Sequence, residues 1–364
     1  MRSGRTSSCS SSCSDCGTVF DAVSYGKKTV PMKRKHSVAL VAGGGGLIGT
    51  HLCRALLEKG FEVICADIRT GNQVGFPQDV RENGRFRYIR HDVVNPFNIH
   101  CDAVFNLASR TDVGFTGKHP VQTLKTDIIG CLNTLDVAKS NNAVYVFASS
   151  SDVYGISNAN SYNETATGNI PASFPKYTAG TGKRAAEGLC ESYRSEFGMD
   201  VKVARLFNTY GPEMDPDDGR IISKFLSSAL QNKDLLVYGS GGQTRSFCWV
   251  GDTVDALIRI MECRDRALSP VNIGSSHEIT INALAKRIIE LTGSRSKNHT
   301  REFSCRYAQA RNARCHKSAA HSVVDTFDFA RRGAAPLYRI YGKQARSQRK
   351  GLRPLDVKTI YKIG

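Results

Sequence analysis

The chain has 364 residues, 40% of them hydrophobic and 8% aromatic, which suits a globular protein of one large or several smaller domains. No stretch approaches the roughly 18 apolar residues that a membrane-spanning helix needs, so an integral membrane protein is excluded. The net charge of +17 resides in the two ends: residues 1–36 carry +5, residues 295–364 carry +13, and the 258 residues between them carry −1. The charge therefore does not indicate a nucleic-acid partner for the central part of the chain.

The segment 1–35 is rich in serine, cysteine and lysine and has no hydrophobic periodicity, so we predict that it is disordered. Its cluster of Cys9, Cys13 and Cys16 lacks a second pair of metal ligands, and we predict no metal site. Most other cysteines are scattered singly, and the start of the sequence has no apolar signal-peptide core. We therefore expect reduced thiols and a cytoplasmic protein.

Strands and helices alternate from residue 36 to residue 205. A first strand at 37–41 leads into four glycines and a helical pattern that stops at Gly60. Further strands are predicted at 61–66, 86–90, 103–107, 144–148 and 201–206, with helices at about 120–140 and 181–197. This alternation predicts an α/β fold, a Rossmann-type doubly wound parallel sheet over residues 36–205.

The pattern changes after Arg205. Helical patterns and short apolar segments follow at 221–231, 235–238, 252–263, 271–273 and 279–292. We predict that residues 206–294 form a smaller α+β domain that binds the substrate. Periodicity then disappears, and we assign 295–364 as a basic, disordered tail.

The glycines after the first strand form a phosphate-binding pattern. Gly43, Gly46 and Gly49 follow a strand and open a helix, where glycine allows a tight turn and lets the backbone approach a pyrophosphate. Asp67 ends the second strand, at the position where an acid accepts the ribose hydroxyls and repels a 2′-phosphate. The pattern predicts a dinucleotide cofactor, NAD in preference to NADP, although Arg69 lies close to Asp67.

Three further blocks point to one family: His91-Asp92-Val93, Asn106-Leu107-Ala108 and the run Ser-Ser-Ser-Asp-Val-Tyr-Gly at 149–155. With the glycine pattern, they resemble the extended short-chain dehydrogenase/reductases that act on nucleotide sugars. The resemblance implies that Asp92 contacts the adenine and that the turn from Asn106 to Ala108 lies over the cofactor phosphates. Taken alone, Asp92 would be interpreted as a turn or helix-capping residue.

The second half of the chain narrows the resemblance. The blocks that most resemble the UDP-glucuronate decarboxylase subgroup are Arg205–Pro212, Asp218–Arg220 and Tyr238–Phe247. The resemblance extends over about residues 36–293. It implies that Asn208, Arg220 and Arg245 hold the nucleotide sugar, and guanidinium groups suit phosphate and carboxylate oxygens.

The resemblance also implies a reaction. NAD oxidises C4 of the sugar, the resulting β-keto acid loses CO2, and the hydride returns, so no net redox change occurs. A nucleotide-sugar epimerase or 4,6-dehydratase shares this hydride cycle and stays an alternative. A cofactor-binding protein without turnover is a third interpretation. The resemblance further implies a homodimer.

The catalytic positions depart from the family pattern. Lys183 matches the family lysine, and Ser150, Ser151 and Asp152 match the groups that orient the sugar. The family places its tyrosine base four residues before the lysine, but Ala179 stands there and Tyr177 stands six residues before. Because residues six apart lie about 240° apart around a helix, Tyr177 needs a bulge or a late helix start to reach the site. Gly180 and Gly182 favour a late start, because glycine weakens a helix.

Two other segments also differ from the family. Ser109 to Asp112 replace the family's loop after Ala108, and Glu213 and Asp215 replace an Arg-x-His pair. Glu213 would be unfavourable beside an anionic substrate. From about residue 295 onward, we predict an out-of-frame reading of the family's C-terminal end, because the resemblance, the neutral charge and the apolar periodicity all stop near Gly293.

Overall fold

The computed structural model describes residues 37–71, 74–110, 113–156, 162–171, 177–216, 218–265 and 269–301. The predicted disordered tail 1–35 and the predicted basic tail beyond residue 301 lie outside these ranges. The strands are β1 (Val38–Ala42), β2 (Glu62–Asp67), β3 (Phe86–Arg90), β4 (Ala103–Asn106), β5 (Val144–Ser150), β6 (Val201–Leu206), β7 (Thr209–Tyr210), β8 (Leu235–Tyr238), β9 (Thr244–Ser246), β10 (Cys248–Trp249), β11 (Val271–Ile273), β12 (Glu278–Thr280) and β13 (Asn298–Arg301). The helices are α1 (Leu47–Glu58), α2 (Gln78–Arg81), α3 (Val113–Lys118), α4 (Pro120–Asn141), α5 (Thr178–Phe197), α6 (Ile221–Leu230), α7 (Val250–Glu262) and α8 (Ile281–Thr292).

Seven of these strands form one parallel sheet in the order β11-β6-β5-β4-β1-β2-β3. The central strands are nearly continuous hydrophobic runs, and β1 is buried from Ala39 to Ala42. Such runs are typical of parallel strands that are covered on both faces of the sheet. The predicted α/β fold, a Rossmann-type doubly wound sheet, is confirmed.

Helices cover both faces of this sheet. On one face, α1 and α7 pack around Leu52, Leu56 and Leu257. On the other face, α4 and α5 pack around Leu135 and Tyr145. Because the strands are parallel, their carboxyl ends lie along one edge, which is where ligands bind in open α/β sheets.

The second half of the chain contributes to two cores. Helices α6 and α8 and strand β8 enclose a separate core around Phe225, Leu235 and Leu284. Helix α7 and strand β11 instead return to the large sheet, where Val271 pairs with Ala204 of β6. The predicted division after residue 205 therefore separates the second core from the sheet, but it does not separate α7 and β11 from it.

Two boundaries differ from the sequence-based expectation. Helix α5 begins at Thr178 and not at residue 181. Residues 298–301, which we assigned to the tail, form β13 and pair in parallel with β8. The ordered fold therefore continues past residue 295.

Candidate active site

The loop from Gly43 to Gly46 joins β1 to the N-terminus of α1. Gly43 has φ of +76°, and a Cβ on it would lie 2.6 Å from the Ala108 Cα. A Cβ on Gly49 would lie 2.5 Å from the Gly44 Cα, so the first turn of α1 packs tightly under the loop. At Gly46, by contrast, a Cβ would make only ordinary contact with the backbone. The loop therefore ends at the N-terminus of α1, a helix of 12 residues. The N-terminus of a helix carries partial positive charge, which favours binding of a pyrophosphate.

Asp67 connects the end of β2 to this loop. Its Oδ2 accepts a hydrogen bond from the Gly45 N–H at 3.0 Å. Its Oδ1 accepts from the Arg69 N–H at 3.1 Å and from Arg69 Nε at 3.2 Å. The carboxylate that is predicted to bind a ribose is thus held against the loop and paired with a guanidinium.

The turn after β4 lies on the other side of the loop. Asn106 is buried, and its amide nitrogen donates to Thr134 Oγ1 and to the Tyr145 hydroxyl, both at 3.0 Å. Its carbonyl oxygen accepts from the Ala108 N–H at 3.1 Å. Asn106 therefore fixes the turn that touches Gly43, which is the position expected for a contact with cofactor phosphates.

Asp92 lies in the turn that follows β3. Its Oδ1 accepts from the Val94 N–H at 3.1 Å, and its backbone carbonyl accepts from the Asn95 N–H at 2.9 Å. This is the turn geometry that the residue type alone would favour. The adenine contact stays a prediction.

Lys183 lies on α5 and is buried against the end of β5. Its Nζ donates to the Ala148 carbonyl at 2.7 Å and lies 4.6 Å from the centre of the Phe147 ring. It also lies 3.6 Å from Oδ1 of Asp127, a buried residue of α4 that the motifs did not indicate. The lysine is thus held at the edge of the sheet with a carboxylate beside it.

The residues after β5 form a short 3-10 turn, Ser151–Tyr154. Ser150 precedes it, and its hydroxyl accepts from the Asp152 N–H at 3.1 Å. Helix α5 packs directly on this turn, because a Cβ on Gly180 would lie 2.6 Å from the Asp152 carbonyl oxygen. The structure therefore brings Ser150, Ser151 and Asp152 to the N-terminal end of α5.

Gly180 and Gly182 of α5 have a packing role and do not delay the helix. A Cβ on Gly182 would lie 2.8 Å from Asp127 Oδ2, just as one on Gly180 would collide with the backbone of Asp152. The expected bulge or late start is wrong: Tyr177 is the N-cap residue and the helix continues from Thr178. Ala179 therefore occupies the place four residues before Lys183, on the same helix face.

A buried network behind the site was not predicted. Glu187 binds Arg205 of β6 through both carboxylate oxygens, at 2.9 and 2.8 Å, and accepts from the Ser149 hydroxyl at 2.5 Å. Arg205 also donates to the Tyr154 hydroxyl at 3.0 Å, and that hydroxyl donates to Asn272 Oδ1 at 2.6 Å. The network ties β5, β6, β11 and α5 together directly under the 3-10 turn.

The predicted sugar-binding residues lie on segments of the second half. The Asn208 amide donates to the Ser246 carbonyl at 3.1 Å, so Asn208 adjoins Arg245 on β9. Arg220 is the N-cap residue of α6, and its backbone N–H donates to Asp218 Oδ1 at 2.8 Å. The structure thus places Asn208 beside the segment of Arg245, and Arg220 at a separate helix end.

Glu213 turns towards the segment after β2. It has φ of +66°, and its Oε2 would lie 3.5 Å from a Cβ on Gly75. Burial raises the pKa of its carboxyl, and the nearby Arg54 opposes this shift. The adjacent Pro212 carbonyl lies 3.0 Å from His51 Nε2 of α1. This loop therefore connects the second half of the chain to the glycine-loop helix.

In the part of the chain that the structure describes, no group of three or more His, Cys, Asp or Glu side chains is arranged to hold a metal ion. Across the same residues, no helix is both long and apolar enough to cross a membrane.

Comparison with known proteins finds similar nucleotide-sugar enzymes. UDP-glucuronic acid decarboxylase 3 of Arabidopsis thaliana is 41% identical over 254 residues, which are 69% of this chain and 73% of that protein. UDP-glucuronic acid decarboxylase 1 of Danio rerio is 38% identical over 279 residues, which are 75% of this chain and 66% of that protein.

Solved structures give the same fold. UDP-glucuronic acid 4-epimerase from Bacillus cereus, in complex with UDP-glucuronic acid and NAD, matches with a TM-score of 0.65 at 25% identity, covering 73% of this chain and 86% of that chain. UDP-glucose 4-epimerase from Thermotoga maritima matches with a TM-score of 0.64 at 24% identity, covering 79% and 90%, and supports the fold alone. Residues 39–274 match the model of the NAD dependent epimerase/dehydratase family. The chain therefore belongs to the NAD-dependent epimerase/dehydratase family.

Proposed function

We propose that the protein is an NAD-dependent carboxy-lyase that converts UDP-glucuronate to UDP-xylose through a 4-keto intermediate. The observation that carries this proposal is the identity of 38–41% to UDP-glucuronic acid decarboxylases of plants and vertebrates. An epimerase or 4,6-dehydratase stays the nearest alternative, and the match to UDP-glucuronic acid 4-epimerase at 25% identity supports the epimerase.

The residues around the glycine loop fit NAD. The N-terminus of α1 supplies positive charge for a pyrophosphate, and glycine at position 43 lets the loop before this helix pack against the turn at Ala108, where a Cβ would collide. Asp67 would accept the ribose hydroxyls next to Gly45, and Lys183 would donate to the second ribose. When bound, NAD supplies a hydride acceptor for C4 of the sugar and then returns the hydride.

The sugar nucleotide would bind across the same edge of the sheet. Arg245 and Arg220 offer guanidinium groups for the diphosphate and the carboxylate, and Asn208 offers an amide. Hydroxyls of Ser150 and Ser151 would orient the sugar, with Asp152 beside them. Once C4 is a ketone, it is β to the carboxylate. The C5–C6 electron pair can then move into an enolate as CO2 leaves, and a proton adds at C5.

The oxidation at C4 needs a group that takes the hydroxyl proton. We propose Tyr177 for this role, acting from the N-cap position of α5. A second candidate function follows from the same helix. Because Ala179 stands four residues before Lys183 in a continuous helix, the chain could bind NAD and the sugar nucleotide without turning them over.

We also propose a cytoplasmic homodimer. Exposed apolar side chains on the outer surface of α4 and at the end of α5 support self-association: Val121, Ile129, Leu132 and Phe197. The seven cysteines of the described residues are free thiols, six of them buried, which supports a reducing compartment.

The direct test is incubation of the full chain with NAD and UDP-glucuronate, followed by mass spectrometry of the nucleotide sugars. A product lighter by the mass of CO2 supports the decarboxylase. A product of unchanged mass but different retention supports an epimerase. A parallel incubation with NAD and a neutral nucleotide hexose tests the dehydratase, which would give a product lighter by the mass of water.

The control variant is Lys183→Met, which should remove turnover while the fold is retained, as judged by circular dichroism. If the parent binds NAD in titration calorimetry but converts none of these sugars, the decarboxylase proposal fails and the second candidate function is supported.

A further inference from the structure

Asp127 is a buried acid that the proposed mechanism does not use. It lies on the inward face of α4 and is 1% exposed. Its Oδ1 accepts from the Ser109 hydroxyl at 2.7 Å and lies 3.6 Å from Lys183 Nζ. Its Oδ2 has no hydrogen-bond partner among the described residues, although it is buried. Burying a carboxylate costs free energy unless a charged or hydrogen-bonding partner compensates for the lost hydration.

The environment of Lys183 explains what the charge does. An ammonium group has three N–H donors. One donates to the Ala148 carbonyl and a second side of the group faces Asp127 Oδ1, so two anchors on different elements fix the position of Nζ. This leaves a third donor for a ligand at the carboxyl edge of β5. The Asp127 carboxylate also supplies the counter-charge that a buried ammonium requires.

The packing of α5 is adapted to this pair. A side chain at position 182 would collide with the Asp127 carboxylate, since a Cβ there would lie 2.8 Å from Oδ2 and 2.9 Å from the Asp127 Cβ. Glycine at 182 therefore lets the acid of α4 come close to Lys183 of α5. Ser109, in the loop after β4, also donates to this carboxylate. The Asp127 carboxylate of α4 is therefore in contact with both α5 and the loop after β4.

The sheet order shows which half of a dinucleotide this pair faces. Asp67 ends β2 and Ala148 lies in β5, and the order β5-β4-β1-β2 separates them by three strand spacings. At about 4.8 Å per strand this is roughly 14 Å. A dinucleotide with its adenosine ribose at Asp67 and its pyrophosphate at the glycine loop of β1 therefore reaches Lys183 with its second ribose.

We infer that Asp127 is a positioning residue for the cofactor: it fixes the Lys183 ammonium so that Lys183 binds the nicotinamide-side ribose. The inference rests on the proposed NAD site but not on the proposed sugar or on turnover. Asp127 itself touches neither substrate nor cofactor.

The test compares NAD with ADP, which carries only the adenosine half. We expect Asp127→Asn to weaken NAD binding about tenfold in titration calorimetry and to leave ADP binding within twofold of the parent. Asparagine keeps the size of the side chain and can still accept from Ser109. The matched control is Asp136→Asn, the same change at an exposed position of α4, where we expect no effect on either ligand.

A double-mutant cycle with Lys183→Met tests whether Asp127 acts through the lysine. In the Lys183→Met background, Asp127→Asn should change NAD affinity by less than twofold. The inference is overturned if the loss is again about tenfold there, if ADP binding falls as much as NAD binding, or if the parent binds ADP but not NAD. A parent that shows the expected cycle but converts no nucleotide sugar keeps the inference and removes the proposed function.

Discussion

Glu187 and Arg205 form a buried two-point ion pair, with N–O distances of 2.9 and 2.8 Å. The pair joins α5 to β6 one helical turn beyond Lys183. Since the same carboxylate accepts from Ser149, it also fixes the end of β5. The position of the 3-10 turn Ser151–Tyr154 therefore depends on a buried ion pair that lies behind it.

Breaking this pair should destabilise the fold. We expect Glu187→Gln to lower the free energy of unfolding by about 3 kcal/mol, because Arg205 would stay buried without its counter-charge. Chemical denaturation with urea measures the change. Asp255→Asn, which removes the exposed ion pair with Arg259, serves as the control and should cost less than about 0.5 kcal/mol. Equal effects of the two variants would contradict the importance of the buried pair.

The three glycines of α5 allow a matched comparison. Gly188→Ala should stabilise the protein by about 0.5–1 kcal/mol, because a Cβ there meets no atom within 4 Å and alanine favours a helix. Gly180→Ala should be destabilising instead, because its Cβ would lie 2.6 Å from the Asp152 carbonyl oxygen. Thermal unfolding of both variants measures the difference. Stabilisation by Gly180→Ala would show that the helix does not need this close approach.

Asp67 and Arg69 should have opposite effects on the preference for NAD over NADP. We expect the parent to bind NAD more tightly than NADP, and Asp67→Asn to narrow the difference about tenfold, because the charge that repels a 2′-phosphate is lost. Arg69→Ala should widen the difference, because its guanidinium pairs with Asp67 and offsets that charge. Competitive titration with both cofactors measures the ratio. A parent with equal affinity for both would contradict the role of Asp67.

Tyr177→Phe should lower turnover by about 100-fold or more if Tyr177 takes the C4 hydroxyl proton. Ala179→Tyr in that background should restore part of the rate, because it places a phenol four residues before Lys183 on the same helix face. Initial rates of product formation measure both effects. The control is Tyr238→Phe, at an exposed position on β8. Unchanged turnover in Tyr177→Phe would show that another group is the base.

Ionisation of the Asp252 carboxyl group should make the folded protein less stable as the pH rises. Burial, with a contribution from Asp255, raises the pKa of Asp252 to about 6 from the ordinary 3.8. Because the folded state holds this proton more tightly, the stabilisation is complete below the ordinary pKa and is lost as the pH rises through about 6. We expect Asp252→Asn to be more stable than the parent by about 1 kcal/mol at about pH 8, with no gain at about pH 4.

Urea denaturation at both pH values measures this effect. Glu262→Gln, at the exposed end of the same helix, is the control and should show no such difference between the two conditions.

Local patterns were sufficient to predict the strand-turn-helix unit that carries the three glycines. Gly43, Gly46 and Gly49 lie within one strand-turn-helix unit, and Asp67 ends the next strand, so neighbouring residues specify their places. Strand alternation likewise predicted the parallel sheet, which the structure and the family comparison confirm.

Gly180 and Gly182 are needed because of residues outside their own helix. Helix propensity alone therefore predicted the wrong start for α5. The collisions they avoid are with Asp152 and Asp127, which are distant in sequence. One feature of the sequence does indicate the buried position of Asp127. It shares the buried face of α4 with Thr123 and Thr134, and polar residues on an inward helix face indicate a buried contact.

Strand β11 has a consequence for synthesis of the chain. It completes the large sheet beside β6, yet the two strands are separated in sequence by residues 207–270, which include α6, β8 and α7. While the ribosome is still translating that intervening stretch, β6 has an unpaired edge that can join a strand of another nascent chain. If translation stopped before residue 271, the chain would lack β11 and the edge of β6 would stay unpaired. The amount of insoluble product from truncated messages should therefore change abruptly at this strand.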